Sequence, residues 1–212
     1  VIPAQTVLGI LLAVLLHRRL PGSAGLRAVL VLPWVCAPLA LGIVWKWILA
    51  PTDGALNALL GTSVAWLSDP TLALPAVAFV AVWSQAGYVA LFFLAGLAAI
   101  PASVLEAAQL DGAGALRTFW YVTLPLLRAT LFFVLVTSTI TAFQAFDSIY
   151  ALTQGGPAGA TNVVAMQIYT SAFKTFDMGK AAALAVALFI VLVLISLAQQ
   201  LYFRRRITYD LS

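Results

Sequence analysis

The sequence predicts an all-α protein, a polytopic membrane helix bundle. Of 212 residues, 63% are hydrophobic and 8% are charged, against roughly 45–50% and 25% in soluble domains. So few charges cannot solubilise a globule of this apolarity, which excludes a soluble enzyme, a disordered chain and a disulfide scaffold. Five apolar stretches approach or reach the ~20 residues of a spanning helix. None alternates polar and apolar residues over about ten positions, as barrel strands would.

In order, the spans are Val1–Leu16, Ala28–Leu49, Leu72–Leu94, Leu126–Phe146 and Ala181–Phe203. The chain opens on Val1 inside an apolar run. The first span therefore reads as N-terminally truncated, and six spans are expected in the full chain. Pro33, Pro38 and Pro75 fall inside or at the ends of spans. Each removes a backbone donor and kinks a helix, which neighbouring helices can tolerate by re-satisfying the freed carbonyls.

Basic residues orient the bundle. Arg18, Arg19, Arg27, Arg117, Arg128, Arg204, Arg205 and Arg206 fall on one side, and Lys46, Lys174 and Lys180 on the other. The arginine side is assigned to the cytoplasm, with loops 17–27 and 95–125 and the C-terminus. Loops 50–71 and 147–179 are then external. In the second, LTQGGPAGAT (152–161) breaks any helix at Gly155, Gly156 and Pro157. Residues 162–176 follow with a helical pattern too short and polar to span. The fifth span carries small residues at Gly179, Ala183 and Ala187, with Ala181 and Ala185 in a second row. Such spacing lets backbones approach closely, within this bundle or against a partner subunit.

Other counts narrow the chemistry. Cys36 is the single cysteine and cannot form an intrachain disulfide. His17 is the only histidine, so no metal site is expected. No stretch reads G-x-x-x-x-G-K-[ST], so this chain binds no ATP through a P-loop. The formal charge of +4 is an orientation signal, not a nucleic-acid one. No span core offers the paired titratable groups of an intramembrane enzyme.

Polar side chains in hydrocarbon are costly and usually face a bundle interior or a water path. Trp83, Ser84, Gln85 and Tyr88 lie midway along the third span. Thr137, Ser138, Thr139, Thr141, Gln144 and Asp147 run along the fourth, with Tyr150 beyond. The spacing puts Thr137, Thr141 and Gln144 on one helix face, continued by Ser148. Amides from Gln85 and Gln144 with rings from Trp83 and Tyr88 suit a sugar. The competing reading for each Thr or Ser is a bond to its own i−4 carbonyl. For the two glutamines it is interhelical packing. For Asp147 it is a place at the headgroups, ending the fourth helix.

The 95–125 loop is too long and structured to be a plain connector. Pro101 and Ser103 mark a helix start, with Ser103 and Glu106 in capping-box spacing. Gly112 suits the stop, where a left-handed residue is needed. A second short helix is expected from Ala115 to Val122, ended by Leu124-Pro125. Phe119 and Trp120 are large aromatics in a loop that should face water, as at docking surfaces.

Glu106-Ala107-Ala108, three residues, Gly112, nine residues, then Val122-Thr123-Leu124-Pro125 resembles the EAA loop of bacterial ABC importer permeases. Only Val122 departs from that family's E-A-A-x3-G-x9-I-x-L-P. The longer EAAQLDGAGALRTFWYVTLPLL, FDSIYALTQGGPAGAT at 146–161 and the run 168–183 are similar to its carbohydrate branch, the maltose and glycerol-phosphate type. PAQTVLGILLAVLL, RRLPG, LPWVCAPLALGIVWKWILAPTDGALN and YFRRRITYDLS resemble the mycobacterial Usp-type amino-sugar permeases.

The resemblance implies a non-catalytic subunit of the bacterial plasma (inner) membrane. With a second permease it would form a pathway. A cytoplasmic ABC ATPase dimer would bind the ATP and Mg. An external sugar-binding lipoprotein would deliver substrate. The coupling residues would be Glu106, Ala107, Ala108, Asp111, Gly112, Phe119, Trp120, Leu124 and Pro125. The pathway residues would be Trp83, Gln85, Tyr88, Thr141, Gln144, Asp147 and Tyr150. Locally, Glu106 either caps its helix or pairs with an ATPase arginine. Asp111 is a coupling residue or a solvated loop acid, and Phe119 and Trp120 dock outward or pack under the bundle. A stand-alone carrier or channel is the alternative class, but it needs no ATPase-docking loop and usually carries its own repeat pair.

Overall fold

The computed structural model describes residues 1–17 and 23–204. Arg18, Arg19 and the tail beyond Arg204, used above for orientation, lie outside the described residues. Among the described residues there are helices and turns but no strand.

Two helices among the described residues are long and apolar enough to cross a membrane unbroken, α5 (Ala73–Ala98) and α12 (Met178–Arg204). Helix α1 (Ile2–His17) is shorter. Its 16 residues rise about 24 Å, less than a roughly 30 Å hydrocarbon core. The other two expected spans are not straight helices. Counting each bent pair as one span gives up to four by length and composition.

The second expected span splits into α2 (Ser23–Val35) and α3 (Pro38–Ile48), bent by 96°. Pro38 holds the first turn of α3. A proline disfavours helical backbone in the residue before it, and Ala37 is extended at φ −57°, ψ 124°. Pro33, by contrast, lies inside α2. Pro75 sits in the first turn of α5, where no internal bond is lost.

The fourth expected span is likewise cut. Helix α7 (Ala115–Thr118), a π turn (Phe119–Thr123) and α8 (Leu124–Leu126) make one helical path, followed after a 67° bend by α9 (Arg128–Phe143). The bend falls at Leu127, which is fully buried. The expected helix stop at Leu124-Pro125 is therefore corrected: the helix runs through both residues. In the π turn the Leu124 amide reaches back five residues to the Phe119 carbonyl. That widening sits directly before the proline that lacks a donor.

Helix α5 is the mast of the bundle. Ala13 of α1, Val89, Phe93 and Leu97 of α5, Leu127, and Val134 of α9 form one core. Gly87 lets α2 lie directly on α5, because a β-carbon there would collide with the Leu30 backbone. At the other end, Leu49, Val77 and Val80 meet Ile149 and Leu152 of α10 (Asp147–Leu152). Beside them, loop 50–71 carries α4 (Ala55–Leu60) and is tied by Asn57. The Asn57 amide donates to the Ala50, Pro51 and Val64 carbonyls and accepts from Trp66 Nε1 at 2.9 Å. In the same loop the Thr71 hydroxyl and amide hold the Asp69 carboxyl below its usual range.

The residues after the G-G-P turn form α11 (Val164–Tyr169), extended by a second π turn (Thr170–Lys174). Asp177 then caps α12 by accepting the Lys180 amide at 3.0 Å. Most of α12 faces away from the chain, with only Ala181, Leu192 and Phe203 buried among its described residues. The row Gly179, Ala183, Ala187 is exposed, as is Ala185, so neither row as a whole packs within this bundle.

Candidate functional site

Two regions gather the singled-out residues. The first is the hairpin of α6 (Ala102–Leu110) and α7. The capping box is not formed. The N-cap is Pro101, no side chain bonds there, and Ser103 lies one residue inside the helix. The extended backbone of Pro101 sets the start instead, at φ −60°, ψ 134°. Glu106 therefore caps nothing: its side chain is exposed, as is that of Ala107, while Ala108 packs inward.

The C-terminal end of α6 is a Schellman turn. Gly112 has φ +78°. Its amide donates to the Gln109 carbonyl and the Ala113 amide to the Ala108 carbonyl, both at 3.0 Å. The left-handed backbone is what the glycine supplies. Asp111 is the C-cap residue and is exposed. From Gly114 the chain re-enters helix, and Phe119 packs edge-on against Trp120 at 5.6 Å. Phe119 is half-buried but Trp120 is 56% exposed. Leu110, Leu116 and Tyr121, which sequence reasoning missed, are exposed with it. The hairpin thus presents an apolar surface on a connection between helices. Leu124 and Pro125 are half-buried beneath it.

The second region is a cavity of about 310 Å³ among α1, α2, α3, α5, α9 and α10. Gln85, Ser138, Thr141, Gln144 and Asp147 line it, with Trp34 and Cys36. A smaller cavity of about 220 Å³ shares Gln5, Trp34, Gln85, Ser138 and Thr141 and adds Tyr88 and Thr137. Amides thus come from α1 and α5, hydroxyls from α9 and an acid from α10. The larger volume lies at the lower end of the range for small-molecule sites.

The shared helix face does not run as expected. Helix α9 stops at Phe143 with Gln144 as its C-cap, and Asp147 opens α10. Asp147 therefore begins a helix, against the competing reading in which it ends one. The cavity still collects Thr141, Gln144, Asp147 and Ser148 across the break. The threonine hydroxyls take the local option: Thr137 donates to the Phe133 carbonyl at 2.9 Å, Thr141 to that of Thr137 at 2.9 Å, and Thr139 to that of Leu135 at 2.7 Å.

The aromatic plane differs from expectation. Trp83 stands outside both cavities, edge-on to Trp45 at 5.2 Å. Tyr88 has one face covered by Trp34, stacked at 4.5 Å and 17°. Trp34 is 45% exposed and lines both cavities. It and Gln5 were missed. Gln5, 3% exposed, was legible as a lone amide in an apolar run. Trp34 carried no such signal. Tyr150 also stands outside, packed with Phe146 and Tyr169. Its neighbouring hydroxyl pushes the Tyr169 phenol up.

A membrane helix bundle with a cavity that gathers polar side chains from several helices, and an apolar hairpin at a connection, is an architecture that suits a transport subunit. Residues 5–209 match the family described as binding-protein-dependent transport system inner membrane component, and the chain belongs to that family. Its members are the non-catalytic transmembrane permease components of ABC transporters. The sn-glycerol-3-phosphate transport system permease protein UgpA of Agrobacterium fabrum is 37% identical over 206 residues, 95% of this chain and 70% of its own. The trehalose/maltose transport system permease protein MalF of Thermococcus litoralis is 35% identical over 193 residues, 89% of this chain and 65% of its own. In fold, the chain is similar to a bacterial ABC transporter that imports the acidic polysaccharide alginate. The TM-score is 0.86 at 22% identity, covering 95% of this chain and 73% of that one.

Proposed function

We propose that this chain is a permease subunit of an ATP-driven sugar importer whose substrate is an amino sugar or a di- or oligosaccharide. The observation that carries the reading is the cavity lining: amides of Gln5, Gln85 and Gln144, the exposed Trp34 ring, and Asp147 as the single charged side chain among the described residues there. Hydrogen-bonding groups beside an aromatic plane suit a sugar, and the carboxylate suits an amine. Glycerol phosphate is the rival, favoured by the UgpA relatives. Against it, no arginine or lysine among the described residues lines the cavity, whereas phosphate sites are built around them.

On this reading residues 1–212 form one transmembrane domain in the bacterial inner membrane, multi-pass, with loop 147–179 external and the C-terminus cytoplasmic. A second permease supplies the other half of the pathway. The EAA hairpin around Glu106 and Gly112 docks on the cytoplasmic ATPase dimer, and an extracytoplasmic binding lipoprotein delivers the sugar.

Uptake by Asp147→Asn and Gln144→Ala tests it, with variant abundance and the binding protein's affinity checked separately. Asp147→Asn should cut transport of glucosamine by roughly ten- to a hundredfold, the size of a lost charge-assisted hydrogen bond, and of glucose far less. Gln144→Ala should weaken both alike. Wild-type uptake of both sugars by Asp147→Asn removes the amino-sugar assignment.

A further inference from the structure

Four aromatic rings lead away from the cavity toward the surface. Phe146 lines the cavity beside Asp147. It stacks on Tyr150 at 5.3 Å and 29°, and Tyr169 lies 5.0 Å from Phe146 and 5.3 Å from Tyr150. Phe173 follows at 5.4 Å from Tyr169. None is a core residue: Phe173 is 65% exposed and the other three are half-buried. A cluster whose purpose was packing would hide its rings.

From this geometry we infer that Phe173, Tyr169, Tyr150 and Phe146 form an outer carbohydrate-binding track, which takes up the sugar at the surface and passes it to the cavity. The inference rests on the sugar-importer reading above. Pyranose rings present C–H faces that pack on aromatic faces, and such contacts tolerate sliding because they have no fixed donor–acceptor register. A track of four rings holds an oligosaccharide better than a single sugar.

The test is uptake into proteoliposomes holding the full complex and its binding protein, fed glucose and maltotriose, and glucosamine and chitotriose. Phe173→Leu and Tyr169→Leu should each slow trisaccharide uptake about two- to tenfold, the range of one aromatic contact, and monosaccharide uptake less. Phe173→Trp, which keeps a π face, should retain wild-type uptake. If Phe173→Leu and Tyr169→Leu transport trisaccharide at the wild-type rate while Gln144→Ala is slow, the track is wrong and the cavity reading stands. If Phe173→Trp is as slow as Phe173→Leu, the ring is a packing element and the track is again wrong. If Gln144→Ala and Asp147→Asn both leave uptake of every sugar unchanged, the importer pathway reading fails and the track falls with it.

Discussion

Gly87→Ala offers a sharp test of how the cavity is held. Gly87 lies on α5 between Gln85 and Tyr88. A β-carbon there would fall 2.5 Å from the Leu30 carbonyl carbon, nearer still to its oxygen, and 3.2 Å from the Val31 amide nitrogen. These are backbone atoms of α2, so no side chain can rotate away, and the whole helix must retreat. Overpacking typically costs 1–3 kcal/mol, and a backbone obstacle puts this site at about 3 kcal/mol. Trp34 lies one turn beyond Leu30, so the retreat also opens the Trp34–Tyr88 stack, worth about 0.5–1.5 kcal/mol. Together these come to about 3.5–4.5 kcal/mol, which for a unit of this size is a fall in melting temperature of roughly 7–18 °C. Thermal unfolding of the purified complex, followed by size exclusion, measures it. Gly25→Ala is the control: its β-carbon meets nothing within 4 Å, and helix propensity should raise stability by about 1 kcal/mol. Should Gly87→Ala melt at or above wild type, the close α2–α5 contact does not hold the cavity wall, and the argument fails.

At the α6–α7 hairpin, space is open around Gly112, so the cost there is conformational. Gly112→Ala should lose about 1–2 kcal/mol of local turn stability, whereas Gly112→Pro cannot reach φ +78° and also loses the amide bond to Gln109. Substrate-stimulated ATPase activity should fall modestly in the first and collapse in the second, with the subunit still in the membrane; normal stimulation with Gly112→Pro refutes a coupling role. For topology, a single cysteine at Ala115 in a Cys36→Ser background should resist a membrane-impermeant thiol reagent in intact cells. Labelling there would invert the proposed orientation.

The sequence alone determined what depends on local chemistry. Apolar content made the chain a membrane bundle, and the five stretches fell where helices lie. The turn at Gly112 was legible because a left-handed residue after a short helix is a local demand. Pro38 announced a break, since its effect on Ala37 is covalent and steric. The tertiary structure decided the rest. It set the 96° and 67° bends, put Trp83 against Trp45 outside the cavity, and brought Gln5 and Trp34 to Gln85 across three helices. It also replaced a continuous α9 face with a break at Gln144, across which Asp147 reaches the same cavity. The physical reason is that a helix apolar all round has no stripe to say which side is inside. In such a bundle the facing sides are chosen by close backbone approach at small residues, here Gly9 against Val89 and Gly87 against Leu30, and that choice exists only once the neighbouring helix is in place.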